Sequence, residues 1–112
     1  MEIYFKNKKI FLEAEKVFGV KRFFGLMFSG KNTKNLLFEF RKDSNASLTS
    51  LFVFFPFLVL WLDKRNKVID FKIVKPFRLS IKTEKNYRKF VEIPVNNRNF
   101  EIIGLFVGKR KI

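Results

Sequence analysis

The chain has no cysteine and no histidine among its 112 residues, and only ten acidic side chains. The missing cysteines exclude a thiol nucleophile and a disulfide scaffold. Without either residue type there is no Cys/His zinc site, and without histidine no imidazole acid–base chemistry. The acids are too scattered to replace them. Glu39 and Glu92 each stand alone in a hydrophobic stretch, where strand alternation is expected to turn them outward, and Asp43, Asp63 and Asp70 lie in or near turns. No pair has a spacing that guarantees proximity, so catalysis by two carboxylates has no support. Composition therefore points away from an enzyme, with no metal and no cofactor implied.

What is present is apolar and basic. The chain is 47% hydrophobic with 17 Phe, and 24 Lys+Arg give a formal charge of +14. High net charge marks disorder only when hydrophobicity is low, which is not the case here. The length fits a single domain spanning residues 1–112, which buries about two-thirds of the surface its unfolded chain exposes. The first residues, Met1-Glu2-Ile3-Tyr4-Phe5-Lys6, include an early acid and no apolar run before Lys8-Lys9. They do not read as a secretory signal, and a cytoplasmic location is the expectation. Phe, Lys, Ile and Asn share AT-rich codons, so part of the positive charge is open to a compositional origin.

Periodicity supplies the elements. Ile3-Tyr4-Phe5 and Ile10 to Glu15 read as a hairpin around Asn7-Lys8-Lys9. Val20, Phe23, Phe24, Met27 and Phe28 fall at helical spacing, which predicts one short helix near residues 20–28. Leu36 to Phe40 reads as a strand, followed by a polar loop from Arg41 to Ala46. Leu51 to Leu62 is apolar throughout except for Pro56. A membrane-spanning helix needs ~20 apolar residues, so two buried strands joined or bulged at Pro56 are the better reading. After a turn at Asp63–Lys67, the residues Ile69, Phe71, Ile73, Phe77, Leu79 and Ile81 share an apolar parity, broken at Pro76. Tyr87–Val95 and Phe100–Val107 complete the strands, separated by the turn-rich residues 96–99. The fold class is α+β, mostly β: antiparallel strands curled into a barrel- or sandwich-like sheet with one short helix. Leu26, Phe38, Phe54, Leu58, Leu60, Ile69, Phe71 and Ile73 are its expected core.

Two motif-like strings are decoys. Gly25 to Asn32 nearly spells a phosphate-binding loop, but Asn32 stands where the magnesium-binding hydroxyl is needed, and three of the four positions between the glycines, Leu26, Met27 and Phe28, are bulky and apolar. Gly104-Leu105-Phe106-Val107-Gly108 matches a membrane-helix dimer motif without the apolar 20-mer it requires, and reads as a strand ending in a turn.

The basic residues are more informative. Residues 64–89 hold ten Lys/Arg against Asp70 and Glu84, which is +8 of the total +14. Lys72, Arg78, Lys82, Arg88 and Lys89 fall on candidate exposed positions, repeating at about 6.6 Å per two residues along each strand. With the tail Lys109-Arg110-Lys111 they form a candidate anion-binding set suited to nucleic acid or another polyanion. No amphipathic cationic helix is present, which favours RNA or DNA over a membrane. The bland counterpart is a lysine-protected sheet edge that resists aggregation. Phe71 and Phe77 share the apolar parity and are expected inside, leaving Tyr87 as the one candidate exposed ring for base stacking. A small-molecule pocket beside Pro56 and the Gly25-Leu26-Met27 helix is the competing reading.

Taken together, Arg22 with Gly25-Leu26-Met27-Phe28, Leu37-Phe38-Glu39-Phe40, Ser47-Leu48, Phe55-Pro56-Phe57, Trp61-Leu62-Asp63, Lys75-Pro76-Phe77, Val91-Glu92-Ile93-Pro94 and Gly104 are collinear over roughly residues 10–108. In this the chain resembles the proteins grouped as domain of unknown function 192. The resemblance implies a compact β-rich domain with a short helix carrying Gly-Leu-Met, and it implies no biochemical activity. It also exposes departures. Members usually carry acids at the positions of Lys21, Leu58 and Leu105, and archaeal-type members often show His at that of Thr49. If relatives share a polar site there, this chain is a divergent member that has lost it.

Overall fold

The computed structural model of the chain describes residues 1–17, 26, 29–48, 50, 52–78 and 80–108. The helix expected near residues 20–28 lies outside them except for Leu26. The order is β1 (Glu2–Phe5), β2 (Lys8–Phe11), β3 (Glu15–Lys16), β4 (Leu36–Ser44), β5 (Phe57–Leu62), β6 (Val68–Val74), β7 (Tyr87–Pro94) and α1 (Phe100–Val107). Strands β1 and β2 form a separate hairpin, and the other five form one sheet in the order β3-β4-β7-β5-β6. The fold is thus mostly β with one short helix among the described residues. That sheet is open, with β3 and β6 at its edges, so the expected barrel-like closure is not realised. The chain spends its first strands on a separate hairpin instead of on a closing pair. The β3–β4 pairing is moreover parallel, over two residues.

The apolar run after Pro56 explains the layering. All six residues of β5 are buried. Phe57, Val59 and Trp61 enter one hydrophobic cluster with Phe38 and Phe90. Leu58, Leu60 and Leu62 enter another, with Val91, Ile93, Ile103 and Phe106. A strand without polar alternation is one covered on both faces. On the second face lie α1 and the hairpin, where Phe5, Phe71 and Phe106 meet with ring centroids 4.7–5.7 Å apart. On the first face Leu26, Val53, Phe55 and Ile81 supply the cover.

Several expectations are corrected here. Residues 100–107 form a helix, because Ile102, Ile103, Phe106 and Val107 recur at helical spacing and all pack into the second cluster. The Gly104 to Gly108 string is accordingly a helix end: Gly108 N–H donates to the Gly104 carbonyl at 3.0 Å, with φ of 80°. The first hairpin turns at Lys6-Asn7, not Asn7-Lys8-Lys9. Both residues take positive φ, 49° and 64°, as the tightest hairpin turn of right-handed twist demands. Among the described residues 52–62 only one strand forms, because the chain before Pro56 runs through a positive φ at Phe52. Strand β4 continues to Ser44 through the segment expected to loop, with an irregularity between Glu39 and Ser44. The turn at Asp63–Lys67 forms as expected: the Asp63 carboxylate accepts from the Arg65 and Lys67 amides at 2.8 and 2.9 Å.

Of the expected core, Leu26, Phe38, Leu58 and Leu60 are buried. Ile69, Phe71 and Ile73 on edge strand β6 are half-buried. Phe54 is 62% exposed, since it sits in the irregular segment before Pro56 where no strand face aims it inward. Tyr87, the expected exposed ring, is buried. Its hydroxyl donates to the Ala46 carbonyl at 2.7 Å, and burial holds the phenol above its ordinary pKa. Glu92 is likewise buried, because β7 is central and is covered on both faces from Phe90 onward. Glu39 keeps its expected outward position: it pairs with Lys16 at 2.9 Å, and that contact lowers its pKa.

Candidate nucleic-acid interface

Strand β6 carries Lys72 opposite Val59, and its register places Asp70, Lys72 and Val74 on the face of the first cluster. At this edge that face is only partly covered, so polar side chains reach its border. The segment after β6 folds back along the border and is fixed by three contacts. Lys72 Nζ donates to the Lys82 carbonyl at 2.9 Å, Thr83 Oγ1 donates to Asp70 at 2.6 Å, and Lys85 Nζ donates to the Ile69 carbonyl at 2.8 Å. A bridge between Leu48 and Ile81 holds its middle.

This return lays Lys75, Arg78 and Ser80 beside Lys72 around a depression of about 260 Å³ whose apolar floor includes Val74 and Ile81. The structure therefore brings together Lys72 and Arg78, two of the expected anion-binding residues, although they are six positions apart and separated by Pro76. Lys82 stands next to them, its carbonyl holding the Lys72 ammonium and its side chain exposed. Arg88 is elsewhere, paired with Asp43 at 3.2 Å beside a second depression lined also by Asp63, Lys64, Arg65 and Asn86. Lys89 donates to Asn66 Oδ1 at 2.6 Å, at the β5–β6 turn. Lys109, Arg110 and Lys111 lie outside the described residues. The expected continuous basic face thus resolves into one local cluster of like charge and one mixed neighbourhood.

Two residues of the cluster went unrecognised in the sequence, Lys75 and Ser80, and so did its aromatic flank. Phe77 is 53% exposed with φ of 63°, and its ring meets that of exposed Phe54 edge-on, centroids 5.3 Å apart. Parity fails at Phe77 because alternation predicts a side-chain direction only while the backbone stays extended. Buried Ser50 fixes the local path. Its hydroxyl donates to the Lys75 carbonyl at 2.9 Å and accepts from the Arg78 amide at 2.6 Å, while its carbonyl accepts from the Phe77 amide at 2.9 Å.

The rest of the molecule offers less. A cavity of about 590 Å³ opens between the β2–β3 connection and the start of α1, whereas Gly25 and Met27 of the pocket expected beside Pro56 lie outside the described residues. Its floor is a buried amide pair, Asn35 and Asn99, whose NH₂ groups are spent on each other and on the carbonyls of Glu13 and Pro94. Those bonds tie α1 to the sheet. Among the positions where relatives of the resembled family are polar, Leu58 is in the core and Leu105 is exposed on α1, while Lys21 and Thr49 lie outside the described residues. Among the described residues there is no group of three metal-ligating side chains, and no helix long and apolar enough to cross a membrane.

No protein-family model matches the chain, and no curated protein matches it in sequence. Its fold is similar to two solved structures. One is a protein of unknown function from Novosphingobium aromaticivorans DSM 12444, with TM-score 0.69 and 12% identity over 90% of this chain and 75% of that one. The other, from Sinorhizobium meliloti 1021, is named as a candidate transcription regulator, with TM-score 0.71 and 16% identity over 92% of this chain and 82% of that one. At these identities the likeness establishes a shared fold.

Proposed function

We propose that the chain is a non-enzymatic binding domain, a divergent member of the domain of unknown function 192 group, that recognises the phosphate backbone of a nucleic acid. The observation that carries this reading is the convergence of Lys72, Lys75 and Arg78 on one small depression at the edge of the sheet. Cations gathered around one small depression match the closely spaced charges of a phosphate backbone. Side-chain hydroxyls such as that of Ser80 commonly add hydrogen bonds to phosphate oxygens. The name of the Sinorhizobium neighbour is in line with a nucleic-acid partner, but the residues are what support it.

Binding to phosphate releases condensed counterions, so affinity must fall with salt. Fluorescence anisotropy with labelled single-stranded and duplex oligonucleotides across a salt series is the check. Engagement of about three phosphates predicts a slope of roughly −2 to −3 in log affinity against log salt. Absence of binding at low salt contradicts the proposal.

A further inference from the structure

From the aromatic pair beside the cations we infer that the partner is single-stranded, and that Phe77 and Phe54 form its base-stacking platform. The inference rests on the reading of the basic cluster as a phosphate site. Phe77 follows Lys75 by two residues and precedes Arg78 directly, so its ring emerges from the same short segment whose cations line the depression. Consecutive Cα atoms are about 3.8 Å apart, so the backbone that carries the ring directly adjoins the backbone that carries Lys75 and Arg78. Phe54 and Phe77 are 62% and 53% exposed, and they meet edge-to-face at 82°. An edge-to-face contact uses one face of one ring and leaves the opposite face open.

The cost of this arrangement argues for a ligand. A bulky residue at φ of 63° is strained by about 1–3 kcal/mol, and the strain holds an apolar ring outward. Ser50, fully buried and bonded to both sides of Phe77, keeps it there. Bases in a single strand offer π-faces that stack on such rings regardless of sequence, whereas bases in a duplex are already stacked on each other. Phosphates of the same strand then meet Lys72, Lys75 and Arg78.

The test compares a labelled oligouridine of roughly ten nucleotides with a duplex of matched length, against the intact protein and the variants Phe77→Ala, Phe54→Ala and Phe77→Leu. The expected result is preference for the single strand, with each alanine variant weakened roughly tenfold toward the single strand alone. Phe77→Leu keeps an apolar side chain but no π-face, and it is expected to bind as poorly as Phe77→Ala. Thermal melts of the three variants show whether they are folded, and Phe54→Ala provides a second reading should Phe77 substitutions unfold. Equal salt-dependent binding to both nucleic acids, unaffected by either alanine variant, overturns stacking and leaves the phosphate site standing. Binding to vesicles rich in anionic lipid with none to either nucleic acid overturns both.

Discussion

Replacing Glu92 by Gln is expected to stabilise the protein by about 3 kcal/mol at pH 7 and to have little effect near pH 4. Glu92 faces Leu36 on β4 and Val59 on β5, with Phe90 and Pro94 two residues away on its own strand. None of these is titratable. The carboxyl accepts one hydrogen bond from the Leu26 amide, but Oε1 has no partner among the described residues. Burial pushes its pKa up from 4.5 to about 8, the single backbone bond offsetting part of that rise. The folded protein therefore holds a proton between pH 4.5 and 8 that the unfolded chain has released. Stability falls as pH rises through that window, by about 1.4 kcal/mol per unit, and levels off above it. Gln fills the same space and stays neutral, so the dependence vanishes. Urea midpoints for both proteins at pH 4, 6 and 8 read the difference directly. Parallel curves would show that the carboxyl is not buried as described.

The Ser50→Ala variant is expected to lose about 2 kcal/mol and, with it, the aromatic platform. One hydroxyl satisfies the Lys75 carbonyl and the Arg78 amide, which become unpaired together when it is removed. Each orphaned group costs about 1–3 kcal/mol, and relaxation of the positive φ at Phe77 returns part of that. The melting temperature should drop by roughly 8 °C for a domain of this size. Affinity for the single strand should fall even at temperatures where the variant is folded, because Phe77, Lys75 and Arg78 no longer share a fixed geometry. An unchanged melt would mean that Ser50 does not organise the segment.

Legibility in the sequence followed backbone regularity. The run Phe57-Leu58-Val59-Leu60-Trp61-Leu62 announces a strand covered on both sides, and β5 is one. Strand β7 and the Asp63 turn were readable for the same reason. Phe100–Val107 was not, because a short apolar run is compatible with either period, and its docking against the second cluster decides in favour of helix. The basic site was half visible. Lys72 and Arg78 were recognisable as cations, but their meeting depends on a return of the chain after Pro76 that alternation does not encode. Phe77 was assigned to the core by parity, and one positive φ reverses that assignment. Glu92 was misplaced by a rule that presumes a solvated sheet face, which this central strand lacks from Phe90 onward.

With no cysteine, no histidine and few acids, charge is left as the carrier of function, and the central question is whether its placement matters or only its total. Reversing Lys72, Lys75 and Arg78 to Glu changes net charge by the same amount as reversing Lys8, Lys9 and Lys64, which lie outside the depression. Single-strand affinity of the two triple variants at matched low salt separates the alternatives. The account predicts that the first set abolishes binding while the second weakens it by no more than about tenfold through the long-range field. Equal losses in the two variants would contradict it, and would reduce the site to bulk charge.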